Sequence, residues 1–244
     1  MTLDKKYIDN FINGINKGPL KKRQNLKLDI QDSDIFKEVV YQGYLDASRT
    51  FKGIKSKDTA INNLAKKLHR YFSDVHINDD FNTLHKKWCK EFISDLENDG
   101  YIASYGKAQK VINMAFKYLF CFEYDSSLSD KFKNCHMPLD SYTLNWFKRV
   151  VLNGKCHYKD TNPHRIVEWS KLDPETYCWI QEQISEHLSN EEITVLELEF
   201  VIWPEEIAII SAESLSKQLN NIKELPKHNN VYLNGLLNQI NNLS

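Results

Sequence analysis

The sequence predicts an all-α protein, a single helical domain with a helical cap in its C-terminal part. Three observations carry this reading. Apolar side chains recur at i, i+3, i+4 and i+7 along most of the chain, the spacing that gathers them on one face of a helix. Residues that open and close helices bracket those runs. The one stretch that alternates like a strand, 196–200, has no convincing second strand to pair with. A hydrophobic content of 41%, with 12% aromatic residues, supplies a packed core and excludes wholesale disorder.

After an N-terminal turn and a basic loop at 17–23, residues 33–51 read as the first long helix. The next spans 58 to about 76, where Ile61, Leu64, Ala65, Leu68, Tyr71, Phe72 and Val75 keep the helical spacing. A third covers 80–99: Phe81, Leu84, Trp88, Phe92 and Leu96 share a face, Asp79 or Asp80 can cap its start, and Gly100 ends it. Residues 106–122 are apolar nearly all round, which predicts the central buried helix. Pro138-Leu139-Asp140 opens a helix that Asn153-Gly154 closes. Asp173-Pro174-Glu175-Thr176 opens another, with a capping carboxylate, a proline in the first turn and acidic charge at the positive end of the dipole. Residues 194–203 fit both periods and are assigned to helix for want of a partner strand. Trp88, Trp146, Trp169, Trp179 and Trp203 fall at core positions or helix ends.

No apolar run approaches the ~20 residues that span a bilayer. Asp4, Lys5, Lys6, Asp9 and Asn10 interrupt the start of the chain, so no signal peptide is read there. The expectation is a cytoplasmic protein with no membrane partner. Five cysteines, an odd number, fit reduced thiols rather than a disulfide framework. The net charge of −1 conceals an asymmetry: residues 1–165 carry net +8 and residues 166–244 net −9. The division expected is a basic helical core at 1–165 with an acidic helical part at 166–244 packed on it. A basic body suits an anionic partner such as nucleic acid, and the alternative is two halves that merely complement each other.

Lys107, Lys110 and Lys117 are spaced by three and seven residues, which predicts one stripe along the 106–122 helix. With the amides after Gly106 they form a candidate phosphate cradle, or else they solvate the exposed edge of a buried helix. Asp140 is the candidate catalytic carboxylate, and its position at a helix start also fits a simple cap. Cys135-His136 and Cys156-His157 offer zinc-type ligands. Adjacent residues do not both turn toward one ion, so no metal site is assigned and no cofactor is expected. Phosphate-binding Walker loops, dinucleotide fingerprints and nucleophile elbows are not found in the sequence.

Gly106-Lys107-Ala108-Gln109-Lys110, followed by Pro138-Leu139-Asp140-Ser141-Tyr142, is similar to the helix-hairpin-helix DNA glycosylases. It also resembles bacterial all-α proteins with a Gly-Lys-Ala-Gln-Lys…Pro-x-Asp core. The glycosylase resemblance covers some 40 residues and implies a helix-hairpin-helix-like core. In that family a glycine-containing hairpin grips a DNA phosphate through backbone amides, and a Pro-x-Asp segment supplies a catalytic aspartate at a helix start. The hairpin's Gly-x-Gly is here Ser104-Tyr105-Gly106, and the catalytic lysine of the bifunctional branch falls at Ala108, beside Lys107 and Lys110. The resemblance implies that Asp140 stabilises positive charge at a sugar or positions a water, while the lysines hold the strand.

Arg70 and His76, in an Arg-x5-His arrangement, resemble the motif of HEPN ribonucleases. There the arginine and histidine of two protomers act on the RNA 2′-hydroxyl and scissile phosphate. The leading expectation is a nucleic-acid-associated protein, in its sharper form a DNA-processing enzyme. The alternatives are the HEPN-type ribonuclease and a non-enzymatic helical protein-interaction module.

Overall fold

The apolar segment ahead of Cys121 becomes an axis around which other helices assemble. The computed structural model describes residues 2–23, 32–51, 57–73, 80–98, 101, 103–123, 129–153, 166–223 and 235. Among these residues every regular element is helical. In chain order they are α1 (Lys5–Asn13), α2 (Ser33–Ala47), α3 (Asp58–Ser73), α4 (Phe81–Asn98), α5 (Tyr105–Glu123), α6 (Ser129–Phe132), α7 (Ser141–Trp146), α8 (Pro174–His187) and α9 (Val195–Lys223). Tight 3-10 turns occur at Pro19–Arg23, Ser48–Thr50 and Trp169–Lys171. The chain divides into two compact units, Met1–Trp203 and Pro204–Ser244. The first contains every site described below. The described part of the second is mainly the continuation of α9 to Lys223.

α5 is enclosed because its apolar residues surround its axis. Val111, Ile112, Ala115 and Phe116 are fully buried, and Leu119 is nearly so. α2, α4, α8 and the Trp169–Lys171 turn pack around it. The approach of α2 is close: a Cβ at Gly43 would lie 2.6 Å from the Val111 carbonyl oxygen, so only glycine fits there. α3 packs on α2 and α4, and Phe72 joins the layers by ring contacts with Phe116 and Phe132.

Several elements differ in detail from the sequence reading. The N-terminal turn is a helix, α1, capped by the Asp4 carboxylate and anchored by buried Ile8. α3 ends at Ser73, and Val75 and His76 lie outside the described residues. Asp80 caps α4, accepting the Thr83 amide at 2.8 Å. The helix expected to run from Asp140 to Asn153 is instead the short α7 followed by a π-helical turn, Phe147–Val151. The wider turn seats Phe147 in the core, edge-on to Trp179. α9 begins with a reciprocal box: Thr194 Oγ1 accepts the Glu197 amide while Glu197 accepts the Thr194 amide. Trp203, read as a helix end, lies inside α9 and is exposed. Among the described residues no helix is long and apolar enough to cross a membrane.

The enclosure of α5 makes a direct prediction. Leu119→Ala should lower the unfolding free energy by about 2–5 kcal/mol through the cavity it leaves. Chemical denaturation measures this, and an unchanged midpoint would place α5 at the periphery.

Candidate functional site

Four polar side chains of α5 point into the interior: Gln109, Lys110, Asn113 and Lys117 are all buried. A buried polar group without a partner is costly, so their partners define the local architecture. Gln109 clasps the backbone of Leu139, donating to its carbonyl at 2.9 Å and accepting its amide at 3.2 Å. Gln181 on α8 clasps Met137 in the same way. Asn113 donates to the Met137 carbonyl and to Tyr177 Oη, and its Oδ1 lies 2.8 Å from His85 Nε2. His136 lies between Tyr177 Oη, at 2.9 Å, and Asn82 Oδ1, at 2.7 Å. Side-chain amides thereby fix the extended segment 135–139 against α5 and α8. Burial pushes His85 down to about 4, against the counteracting hydrogen bond to Asn113 Oδ1. Burial and the neighbouring His85 hold His136 well below the ordinary imidazole range. Both imidazoles are neutral near pH 7.

This clamped segment delivers Asp140 to the start of α7. Its Oδ1 accepts the amides of Tyr142 and Thr143 at 2.9 and 3.1 Å, and the Asp140 amide in return donates to Thr143 Oγ1. The other oxygen, Oδ2, accepts Lys110 Nζ at 2.9 Å. One carboxylate therefore caps a helix and pairs with a buried ammonium. Burial raises the Asp140 pKa, but the Lys110 charge and hydrogen bond and the two amides outweigh it and hold it below the ordinary carboxylate range. Burial likewise works against the Lys110 ammonium, and Asp140, Glu199 and Asp46 reverse that effect and raise its pKa. The pair is ionised.

Lys110 and Asp140 line a cavity of about 510 Å³ within the first unit. Lys117 borders it two turns further along α5, donating to Glu199 Oε2 beneath the rings of Phe11 and Phe200. Opposite stands Asp46 of α2, which accepts Tyr118 Oη at 2.7 Å. Burial raises the Asp46 pKa despite that bond and the nearby Lys110, Lys117 and Lys17. The cavity thus has one carboxylate driven toward its ionised form and another driven toward its protonated form.

The proposed lysine stripe does not survive as an exposed face. Lys110 and Lys117 are buried and already hold carboxylates, whereas Lys107 lies half-exposed at the start of α5, donating to Tyr101 Oη at 2.6 Å. The physical reason is that α5 is surrounded, so a lysine on it must take an internal partner. The Gly106 amide donates to the Leu172 carbonyl at 3.0 Å and the Lys107 amide to Ser104 Oγ at 3.3 Å. Neither is left for a phosphate. Gly106 is required there because a Cβ would lie 1.9 Å from the Trp169 carbonyl oxygen. Asp46 and Glu199 escaped the sequence reading. Their signal was a carboxylate at an inward helical position: Glu199 follows Leu196 by three residues and precedes Ile202 by three, and both of these are buried.

Arg70 is exposed at the end of α3, and His76 lies outside the described residues. Cys135 is buried and His136 belongs to the network above, whereas Cys156 and His157 lie outside the described residues. Among the described residues no group of three His, Cys, Asp or Glu side chains is placed to hold a metal ion. No family model, curated protein or solved structure matches the chain.

The neutral histidines predict an acid-sensitive fold. In the unfolded chain His85 takes up its proton near 6.5, but in the fold only near 4, so its contribution is complete above pH 6.5 and falls away toward pH 4. That change is worth about 3 kcal/mol. Denaturant titrations between those limits should show the loss, and His85→Gln should flatten the slope. An identical slope in the variant would remove His85 as its source.

Proposed function

We propose that the cavity around Lys110 and Asp140 is the site of a nucleic-acid-processing enzyme that hydrolyses the bond between a base and its sugar. The observation that carries this reading is the ionised Lys110–Asp140 pair, 2.9 Å apart, on the wall of a cavity of about 510 Å³. That volume falls in the range of about 300–1,000 Å³ typical of small-ligand sites, and enzymes acting on bases turn the nucleotide out of its stack into such a pocket. The glycosylase resemblance of 106–110 and 138–142 supports the same reading. Under it α4 and α5 are the two helices of a helix-hairpin-helix-like core, with Gly106 at the hairpin's exit.

The chemistry follows from the charge states. As the bond from C1′ to the base nitrogen breaks, its electron pair leaves with the base and positive charge develops on the sugar. The Asp140 carboxylate faces that charge, and a water adds to C1′ and releases its proton to solvent. Lys110 keeps Asp140 ionised and oriented. Asp46, which retains its proton more readily than an ordinary carboxylate, suits protonation of the departing base.

Purified protein incubated with oligonucleotides carrying deaminated, oxidised or alkylated bases, with RNA in parallel, should release free base. Asp140→Asn should lower the rate at least about 100-fold. Asparagine retains the cap but leaves Lys110 without its partner, so stability should fall by as much as about 3–5 kcal/mol. The double variant with Lys110→Met removes both charges and serves where the single variant unfolds. Undiminished base release in a folded Asp140 variant, or no release from any substrate by the native protein, would overturn the proposal.

A further inference from the structure

A second depression, of about 500 Å³, lies over the start of α5. It is lined by Lys107, Arg49, Lys171, Tyr101 and Ser104, among others, and Arg49 also lines the cavity that holds Lys110 and Asp140. One side chain thus belongs to both sites. The cations here differ from those deeper along α5. Lys110 and Lys117 are neutralised by Asp140 and Glu199, whereas among the described residues no carboxylate pairs with Lys107 or Arg49. Lys171 pairs with Glu168 at 2.9 Å, where both side chains are largely exposed.

The Lys107 ammonium is also held in place. It donates to Tyr101 Oη at 2.6 Å and stands over the rings of Tyr101 and Phe51, 5.0 and 5.7 Å from their centroids. Tyr101 Oη donates in turn to the Thr50 carbonyl at 3.0 Å, which ties the start of α5 to the 3-10 turn carrying Arg49. An ammonium has three protons, so two remain for an incoming anion. Because the nearby amides of Gly106 and Lys107 are already used, any anion here must be held by side chains.

We infer that Lys107 and Arg49 form a phosphate subsite at the mouth of the cavity, and that the substrate is therefore a nucleic-acid strand rather than a free nucleoside. This rests on the base-releasing reading above: the nucleotide being processed enters the cavity while a flanking phosphodiester lies across Arg49 onto Lys107. A side-chain subsite of this kind reads charge and not sequence.

The test is fluorescence anisotropy of labelled single-stranded DNA, duplex DNA and RNA of about 15 nucleotides, at several salt concentrations, with the full chain. Arg49→Gln and Lys107→Met should each weaken binding several-fold. Each should also reduce the log–log salt slope by about 0.7 on single strands or about 0.9 on duplex. Methionine retains the stem that packs on Tyr101 and Phe51, and Arg49 is exposed, so the Arg49 variant gives a readout independent of any change in folding. Lys171→Gln, already partnered by Glu168, should have the smaller effect. Native binding with unchanged slopes in both variants would overturn the subsite and leave the base-releasing reading standing. Absence of binding to every strand by the native protein would overturn both.

Discussion

The structure depends on the need to satisfy four polar side chains on a helix that is buried on every side. An enclosed helix is most simply built from apolar residues alone, yet α5 carries Gln109, Lys110, Asn113 and Lys117 inward. Each recruits a partner distant in sequence: Leu139, Asp140, Tyr177 and Glu199. These partners lie on the 135–140 segment, α8 and α9, so satisfying α5 and assembling the first unit are one process. The amides give direction, because each Gln–backbone clasp fixes a single register of the extended segment. The lysines give charge, because each demands a carboxylate in a poorly solvated place.

The same constraint builds the cavity. Lys110 and Lys117 carry two positive charges against the carboxylates of Asp46, Asp140 and Glu199 around one space. In low-dielectric surroundings such charges interact far more strongly than on the surface, and their positions are fixed before any ligand arrives. Asp140 and Asp46 are driven in opposite directions by their settings, the first by Lys110 and two amides, the second by burial. Two like groups given different proton affinities in one cavity are the usual basis for dividing acid and base roles.

Much of the helical framework was legible in the sequence because it rests on local rules. The spacing from Ile61 to Phe72, the Asp80 cap and the Asp173-Pro174 start all act within one or two helical turns. α5 was legible as a central helix for the same reason. What pairs with what was not legible. Spacing places Lys110 and Lys117 on one side of α5 but cannot say whether that side faces water, because this depends on α9 and on the 135–140 segment. The capping position of Asp140 was visible, and in the structure Oδ1 fills it while Oδ2 holds Lys110, a pairing that the sequence did not show. Asp46 and Glu199 were hidden inside ordinary amphipathic helices, where one carboxylate on the inward face is easily read as noise. The π-helical turn after α7 left no mark in the periodicity, because one residue of slippage in so short a helix cannot be told from a helix end.

α5 carries its charge inward only because a matched carboxylate meets it, and a double-mutant cycle on Lys117 and Glu199 measures that dependence. Lys117→Met and Glu199→Leu, alone and together, would be compared by equilibrium denaturation. Each single variant should lose about 3–5 kcal/mol by leaving an unpaired charge inside, and the double variant should recover much of it. The resulting coupling should be at least about 2 kcal/mol. Additive losses, with no recovery in the double variant, would mean that the two buried charges do not depend on each other.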